Sequence, residues 1–164
     1  EKYGISEDEA WAVKEYKTAE SYKINTKLRD GIELTPIQKR IVSLLDSALR
    51  KLPKVEGTVF RTLSFDDMFN AQEEYITFLA QHTEGGFAFY NAYTSTSTEP
   101  SGHPMADGTT LGVTLEIISK NARSLDGFGN NFESEALFPR DTDFIITKVT
   151  VDKDGYPYIY MREV

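Results

Sequence analysis

The chain has 164 residues, of which 27% are charged and 40% apolar; its formal net charge is −8 and it has no cysteine. That is enough chain for one domain with its own core, and too much apolar content for a disordered one. The acidic balance excludes a general binder of phosphate backbones, and the missing thiols exclude disulfides, cysteine nucleophiles and cysteine-ligated zinc.

No apolar run is long enough to span a bilayer, and no signal-peptide pattern opens the chain. The start at Glu1 leads to the expectation that a targeting or delivery segment lies outside this chain. Ser6-Glu7-Asp8-Glu9 reads as a capping box opening a helix. Its apolar pattern runs through Trp11, Val13, Tyr16 and Ala19 to Tyr22, Ile24 and Leu28, with a break expected near Thr18 and a stop at Asp30-Gly31. Trp11 is expected in the core; Lys14, Lys17, Lys23 and Lys27 are expected on a solvated face, with attraction of a ligand's phosphates as the alternative. Thr35-Pro36-Ile37-Gln38 opens another helix, with Thr35 as cap and proline in the first turn. Its apolar face is Ile37, Ile41, Leu44, Leu45, Ala48 and Leu52, and Pro53 ends it.

The pattern then changes. Residues 57–63 are β-rich, and Ser64 is expected to cap a helix near 65–81, with Asp66 and Asp67 favouring its dipole. Gly85-Gly86 breaks the chain. Residues 87–94 form an aromatic strand running into Ser95-Thr96-Ser97-Thr98, and 99–109 read as a loop. Residues 110–118 alternate as a strand, and 121–131 read as a glycine- and asparagine-rich loop. Residues 143–151 and 156–161 flank Asp152-Lys153-Asp154-Gly155, a hairpin turn. The chain thus reads as a single domain over 1–164, mainly helical over 1–53 and mainly β over 57–164, of class α+β.

The stretch Phe132-Glu133-Ser134-Glu135-Ala136-Leu137-Phe138-Pro139 carries two carboxylates at i and i+2. On a strand both point the same way, their Cα atoms roughly 6.5 Å apart. Like charges that close need a cation or a substrate between them. His82 and His103, the two histidines, have no second ligand at metal spacing in the sequence, so no metal is expected.

Three sites in order give the acids a setting: Val59-Phe60-Arg61, then Tyr93-Thr94-Ser95-Thr96-Ser97, then Phe132-Glu133-Ser134-Glu135-Ala136-Leu137-Phe138-Pro139-Arg140. The set resembles the Arg, Ser-Thr-Ser and Glu-x-Glu pattern of the mono-ADP-ribosyltransferases of the cholera-toxin-like and clostridial C2/C3-like class, over nearly the whole chain. The run Glu15-Tyr16, Ile24-Asn25 and Leu28-Arg29 is similar to that family's first NAD-contacting helix. The resemblance implies an ADP-ribosyltransferase-like fold: two antiparallel β-sheets packed at a steep angle, with N-terminal and flanking helices.

The same resemblance implies NAD as substrate, no metal, and transfer of ADP-ribose to arginine of a target protein with release of nicotinamide. Glu135 would stabilise the oxocarbenium-like ribose and grip its 2′-hydroxyl. Glu133 would orient and deprotonate the incoming guanidinium. In the family, glutamate at this first position accompanies arginine acceptors. Arg61 would meet the pyrophosphate, and the Thr62 backbone the nicotinamide amide. Ser95 would fix the Glu135 rotamer, Thr96 and Ser97 would brace strand and ribose, and Tyr16 and Asn25 would line the NAD cleft. Phe128 or Phe132 would present an aromatic to the target.

Two features depart from the pattern. Ser21 stands where the family often has tyrosine, with Tyr22 next door; and the Phe and Arg clamp that clostridial-type members carry after Ser-Thr-Ser is missing from residues 99–112, leaving His103, Thr109 or Thr110 as substitutes. The resemblance implies a bacterial toxin or effector, or a phage protein, secreted or delivered into a cell and acting in its cytosol, with a cognate inhibitor or immunity protein as a further partner. Three rivals stay open: an NAD glycohydrolase, a non-enzymatic phage structural or partner-binding module, and an acceptor other than arginine. A nucleic-acid acceptor is disfavoured by the net charge.

Overall fold

The computed structural model describes residues 2–100, 103–128 and 134–164. In chain order the elements are α1 (Glu7–Glu15), α2 (Ser21–Asp30), α3 (Pro36–Lys51), β1 (Lys54–Ser64), α4 (Ala71–Ala80), β2 (Phe87–Tyr90), β3 (Thr94–Ser97), β4 (Gly112–Ser124), β5 (Glu135–Phe138), β6 (Thr142–Val151) and β7 (Pro157–Glu163). The α+β character follows the sequence pattern. The chain divides into two compact units: Glu1–Val55 with Tyr90–Ser95 and Asn121–Thr142, and Glu56–Phe89 with Thr96–Lys120 and Asp143–Val164.

In the first unit, the expected capping box at Ser6 and the expected cap at Thr35 both form. Ser6 Oγ accepts from Glu9 N at 3.0 Å while Glu9 Oε1 accepts from Ser6 N at 2.9 Å. Thr35 and Gln38 repeat the exchange at the start of α3. Each box satisfies two amide groups that a helix start otherwise leaves without partners. Between α1 and α2, residues Tyr16–Glu20 form a wider π-type turn, and Thr18 leaves helical geometry at ψ −166°. Its hydroxyl donates to Glu15 O, the local competition that interrupts helices at threonine. Gly31, at φ 68°, ends α2 in the left-handed region that glycine enters without cost. Ala12, Val13, Tyr16, Ile24, Ile41, Leu45 and Leu49 form the core with Tyr93, Leu125 and Leu137, and Trp11 packs against it as expected. Ile37, assigned to the apolar face of α3, is 59% exposed in the helix's first turn.

In the second unit, β6 and β7 form an antiparallel hairpin over the expected turn, where Asp152 N donates to Tyr156 O at 2.8 Å. β7 also pairs with β4, from Thr114 opposite Tyr158 to Ile118 opposite Arg162, and this pair is parallel. That corrects the expectation of antiparallel pairing throughout. The chain between β4 and β7 is long enough for the crossover a parallel pair requires. The helix expected near 65–81 is shorter. β1 continues through Ser64, and the Asp66 carboxylate accepts from Thr110 N and Leu111 N, both at 2.7 Å. Asp66 therefore ties down a loop instead of favouring a helix dipole, and α4 starts only after Asn70, itself left-handed at φ 59°.

Two strand boundaries differ as well. The strand expected over 87–94 is two strands, because Tyr93 N donates to the Asn25 side chain at 3.1 Å and so leaves the ladder. Residues 121–124, expected in a loop, extend β4 and pair with β5, Arg123 opposite Leu137 and Ser124 opposite Ala136.

Candidate active site

The first unit brings Ser95 and Glu135 together across 40 residues of chain. β3 alternates, Thr94 and Thr96 buried and Ser95 and Ser97 half-buried, the period-two pattern of a strand. β5 begins at Glu135, and Ala136, Leu137 and Phe138 behind it are fully buried. That burial fixes the strand, while Leu125 N donates to Glu135 O at 3.1 Å. Ser95 Oγ then donates to Glu135 Oε2 at 3.2 Å. On the other carboxylate oxygen, Lys17 Nζ stands 3.7 Å from Oε1. Lys17 was expected on a solvated face; its side chain is 10% exposed, against 64% for Lys23. The wide turn at Tyr16–Glu20 carries it, and such turns recur at functional sites.

A second layer holds this pair. Asn25 uses both ends of its amide: Oδ1 accepts from Tyr93 N, and Nδ2 donates to the Tyr16 hydroxyl at 2.8 Å. The rings of Tyr16 and Tyr93 meet edge to face with centroids 5.3 Å apart. Tyr16 is 1% exposed, so its ring belongs to the core, whereas the sequence reading had it line a cleft. The Tyr93 hydroxyl donates to Asp46, which also receives two donors from Arg140. Burial, then the Asp46 charge, pushes the Tyr93 hydroxyl pKa far up, so it stays a donor. The bond to Asp46 raises the Arg140 pKa. Tyr93 stands two residues before Ser95 and Arg140 five after Glu135, so Asp46 of α3 ties both strand flanks to one helix.

Arg61, Thr62, Thr96 and Ser97 belong to the second unit. There Arg61 and Thr62 are half-buried on β1, Thr96 is buried, and the register puts Phe60 opposite Ser97. Glu133 and Phe132 lie outside the described residues, so the paired orientation of the two acids does too. Phe128 is half-buried and packs against the first unit's core. Tyr22, the neighbour of Ser21, is 80% exposed. His82 is buried and stacks on Phe78 with centroids 3.9 Å apart; burial lowers its pKa.

His103 has the acidic neighbours that the sequence reading did not find. Asp152 and Asp154 reach it from the β6–β7 hairpin, with ligand-capable atoms all within 4.8 Å. The tautomer speaks for a tie. His103 Nδ1 accepts from Met105 N at 3.1 Å, which leaves the proton on Nε2 to be donated to Asp152 Oδ2 at 2.7 Å. The Tyr156 hydroxyl donates to Thr109 O, so the hairpin holds the 103–109 loop at both ends.

Lys17, Tyr93, Asp46 and Arg140 are the residues that sequence reasoning missed around Glu135. Tyr93 had a signal, since it opens the Tyr-Thr-Ser-Thr-Ser run; Lys17 had one as a member of the first helix's lysine row, though not as a partner of Glu135; Asp46 had none, being a helix-surface residue by pattern alone.

Comparison with known proteins places this geometry. The family model described as ADP-ribosyltransferase exoenzyme matches residues 1–163. No curated protein sequence matches. Among solved structures, Exoenzyme S from Pseudomonas aeruginosa, in complex with human 14-3-3 protein beta and bound to carba-NAD, aligns at TM-score 0.76 and 25% identity, over 98% of this chain and 76% of that one. The Clostridium limosum C3 exoenzyme aligns at TM-score 0.75 and 20% identity, over 99% and 88%. The ADP-ribosyltransferase Vis, from Vibrio splendidus, solved with agmatine, aligns at 0.72 and 22%, over 98% and 76%.

Proposed function

The chain belongs to the ADP-ribosyltransferase exoenzyme family, and on that premise we propose that it moves ADP-ribose from NAD to an arginine of a target protein. The observation that carries this reading is the Glu135 carboxylate, gripped by Ser95 on one oxygen at 3.2 Å and fronted by Lys17 on the other. A carboxylate held that way can face a developing cation without turning aside. When the bond from nicotinamide N1 to ribose C1′ breaks, its electron pair leaves with nicotinamide and C1′ takes on oxocarbenium character. Glu135 stabilises that charge and accepts a bond from the 2′-hydroxyl. A guanidine nitrogen then attacks C1′, and Glu133 takes the proton it loses. Arg61, Thr62, Thr96 and Ser97 carry the contacts to pyrophosphate, nicotinamide and ribose, and Asn25 and Tyr16 hold the first helical turn.

Arginine as acceptor is supported by the glutamate at position 133 and by the fold shared with Vis, which has been solved with agmatine, a compound ending in arginine's guanidinium. Phe128 and Phe132 flank the acids as contacts for the target. The whole chain acts as one catalytic domain, a reading supported by the family match across both compact units. Its setting is that of a toxin or effector that reaches another cell's cytosol. Among the described residues, no helix is long and apolar enough to cross a membrane.

The test is incubation with NAD labelled in the adenylate and a polyarginine peptide. Label on the peptide, released by a reagent that cleaves guanidine-linked ADP-ribose, is the expected result. Free ADP-ribose alone would make the protein a hydrolase, and unchanged NAD would make it a binding module.

A further inference from the structure

The Lys17–Glu135 pair has a consequence for turnover. Lys17 is not a surface lysine that happens to find an acid: its side chain is 10% exposed, in a turn that departs from helical geometry at the next residue. With Ser95 on Oε2 and Lys17 in front of Oε1, both oxygens of Glu135 face protein donors. Such a carboxylate is oriented and kept charged, but its charge is compromised. A cation that near offsets the field the carboxylate would exert on an oxocarbenium. An ammonium so enclosed also cannot move away without meeting another anion, because a largely desolvated charge needs a partner.

NAD brings such an anion. Its pyrophosphate joins, through C5′, the same ribose whose C1′ reacts, and the lysine side chain has four rotatable carbons with which to follow it. We propose that Lys17 is an exchangeable counter-ion: it holds Glu135 in the NAD-free protein and passes to the pyrophosphate when the dinucleotide binds, uncovering Glu135 for the ribose. The inference rests on the NAD reading above and adds a residue and an order of events to it.

Calorimetric titration with ADP-ribose tests the exchange without any turnover. Lys17→Met is expected to weaken binding about tenfold, the loss of one well-placed ionic contact, and Lys17→Arg to restore most of it. Glu135→Gln removes the carboxylate charge but keeps an amide oxygen for the ribose 2′-hydroxyl, so it is expected to tighten ADP-ribose severalfold while Lys17 is present and to give no such gain in the Lys17→Met background. A merely structural lysine would not produce that coupling. The inference is overturned if Lys17→Met binds ADP-ribose as well as the parent, or if Glu135→Gln fails to tighten it. The second arm leaves Lys17 in place and decides the matter alone should Lys17→Met not fold. If the parent binds neither ADP-ribose nor NAD, the proposed function fails first and this exchange with it. If the parent binds and consumes NAD but shows no coupling, only the exchange fails.

Discussion

Glu9 and Glu135, two of the first unit's glutamates that face a lysine, are held in opposite ways. Glu9 is 4% exposed and surrounded at short range: it accepts from Ser6 N at 2.9 Å, from the Ser47 hydroxyl, and from Lys51 Nζ at 2.8 Å. The Lys51 bond, then the Ser47 bond, hold its pKa at about 2, against 4.5 ordinarily. Its lysine is the outer partner, 41% exposed. At Glu135 the order reverses. The acid opens a strand with its side chain 15% exposed, the lysine is the more enclosed at 10%, and the approaches are 3.2 and 3.7 Å. A carboxylate wrapped in short bonds fixes structure, whereas a lysine that faces its carboxylate at 3.7 Å, beyond hydrogen-bond reach, can change that partner when a substrate arrives.

The sharpest way to break this comparison is to neutralise each acid in turn. Glu135→Gln should lower NAD consumption by about 10²–10³, as removal of a charge aimed at a transition state does, with little change in melting temperature. Glu9→Gln should do the reverse, costing about 1–3 kcal/mol of stability by chemical denaturation while the rate per folded molecule is kept. If both variants lose activity and stability in parallel, the two glutamates do not differ in kind.

Glu133→Gln sharpens the assignment within the acidic pair. Transfer to a polyarginine peptide should fall at least about tenfold, since the base that receives the guanidinium proton is gone, while release of free ADP-ribose falls much less. Equal losses in both products would mean that the two acids share one task. Ser95→Ala follows with a smaller effect. Loss of one hydrogen bond to a charged group should reduce turnover by about tenfold and leave the melting temperature within about a degree or two, since Ser95 is only half-buried.

How much of this could be read beforehand depends on where the determinants lie. The capping box at Ser6, the cap at Thr35 and the turn at Asp152–Gly155 were legible because each is a short-range bargain between a side chain and the nearest amides. The Ser95–Glu135 contact was legible through a family's ordered motifs, not through spacing, because 40 residues separate them. What stayed hidden was set by tertiary partners. Asp66 looked like a helix-favouring acid until Thr110 and Leu111 claimed it. Tyr93 looked like one more strand aromatic until Asn25 took its amide and Asp46 its hydroxyl. Lys17 shares the pattern of Lys14 and Lys23, and only the broken turn at Thr18 sets it apart.

The smallest expected effect concerns acid, and its sign follows from the Glu9 bonds. A folded-state pKa depressed from 4.5 to about 2 means that the folded protein holds its proton more weakly than the unfolded chain. The stabilisation is therefore complete above pH 4.5 and is lost as pH falls through 4.5 towards 2. Melting curves recorded through that window should show the parent losing its advantage over Glu9→Gln, the two converging at the acid end. The carboxamide cannot titrate, so its own decline reports every other group. A parent and variant that fall in step across the window would show that Lys51 and Ser47 add nothing to Glu9 beyond water, and the contrast with Glu135 would lose its structural half.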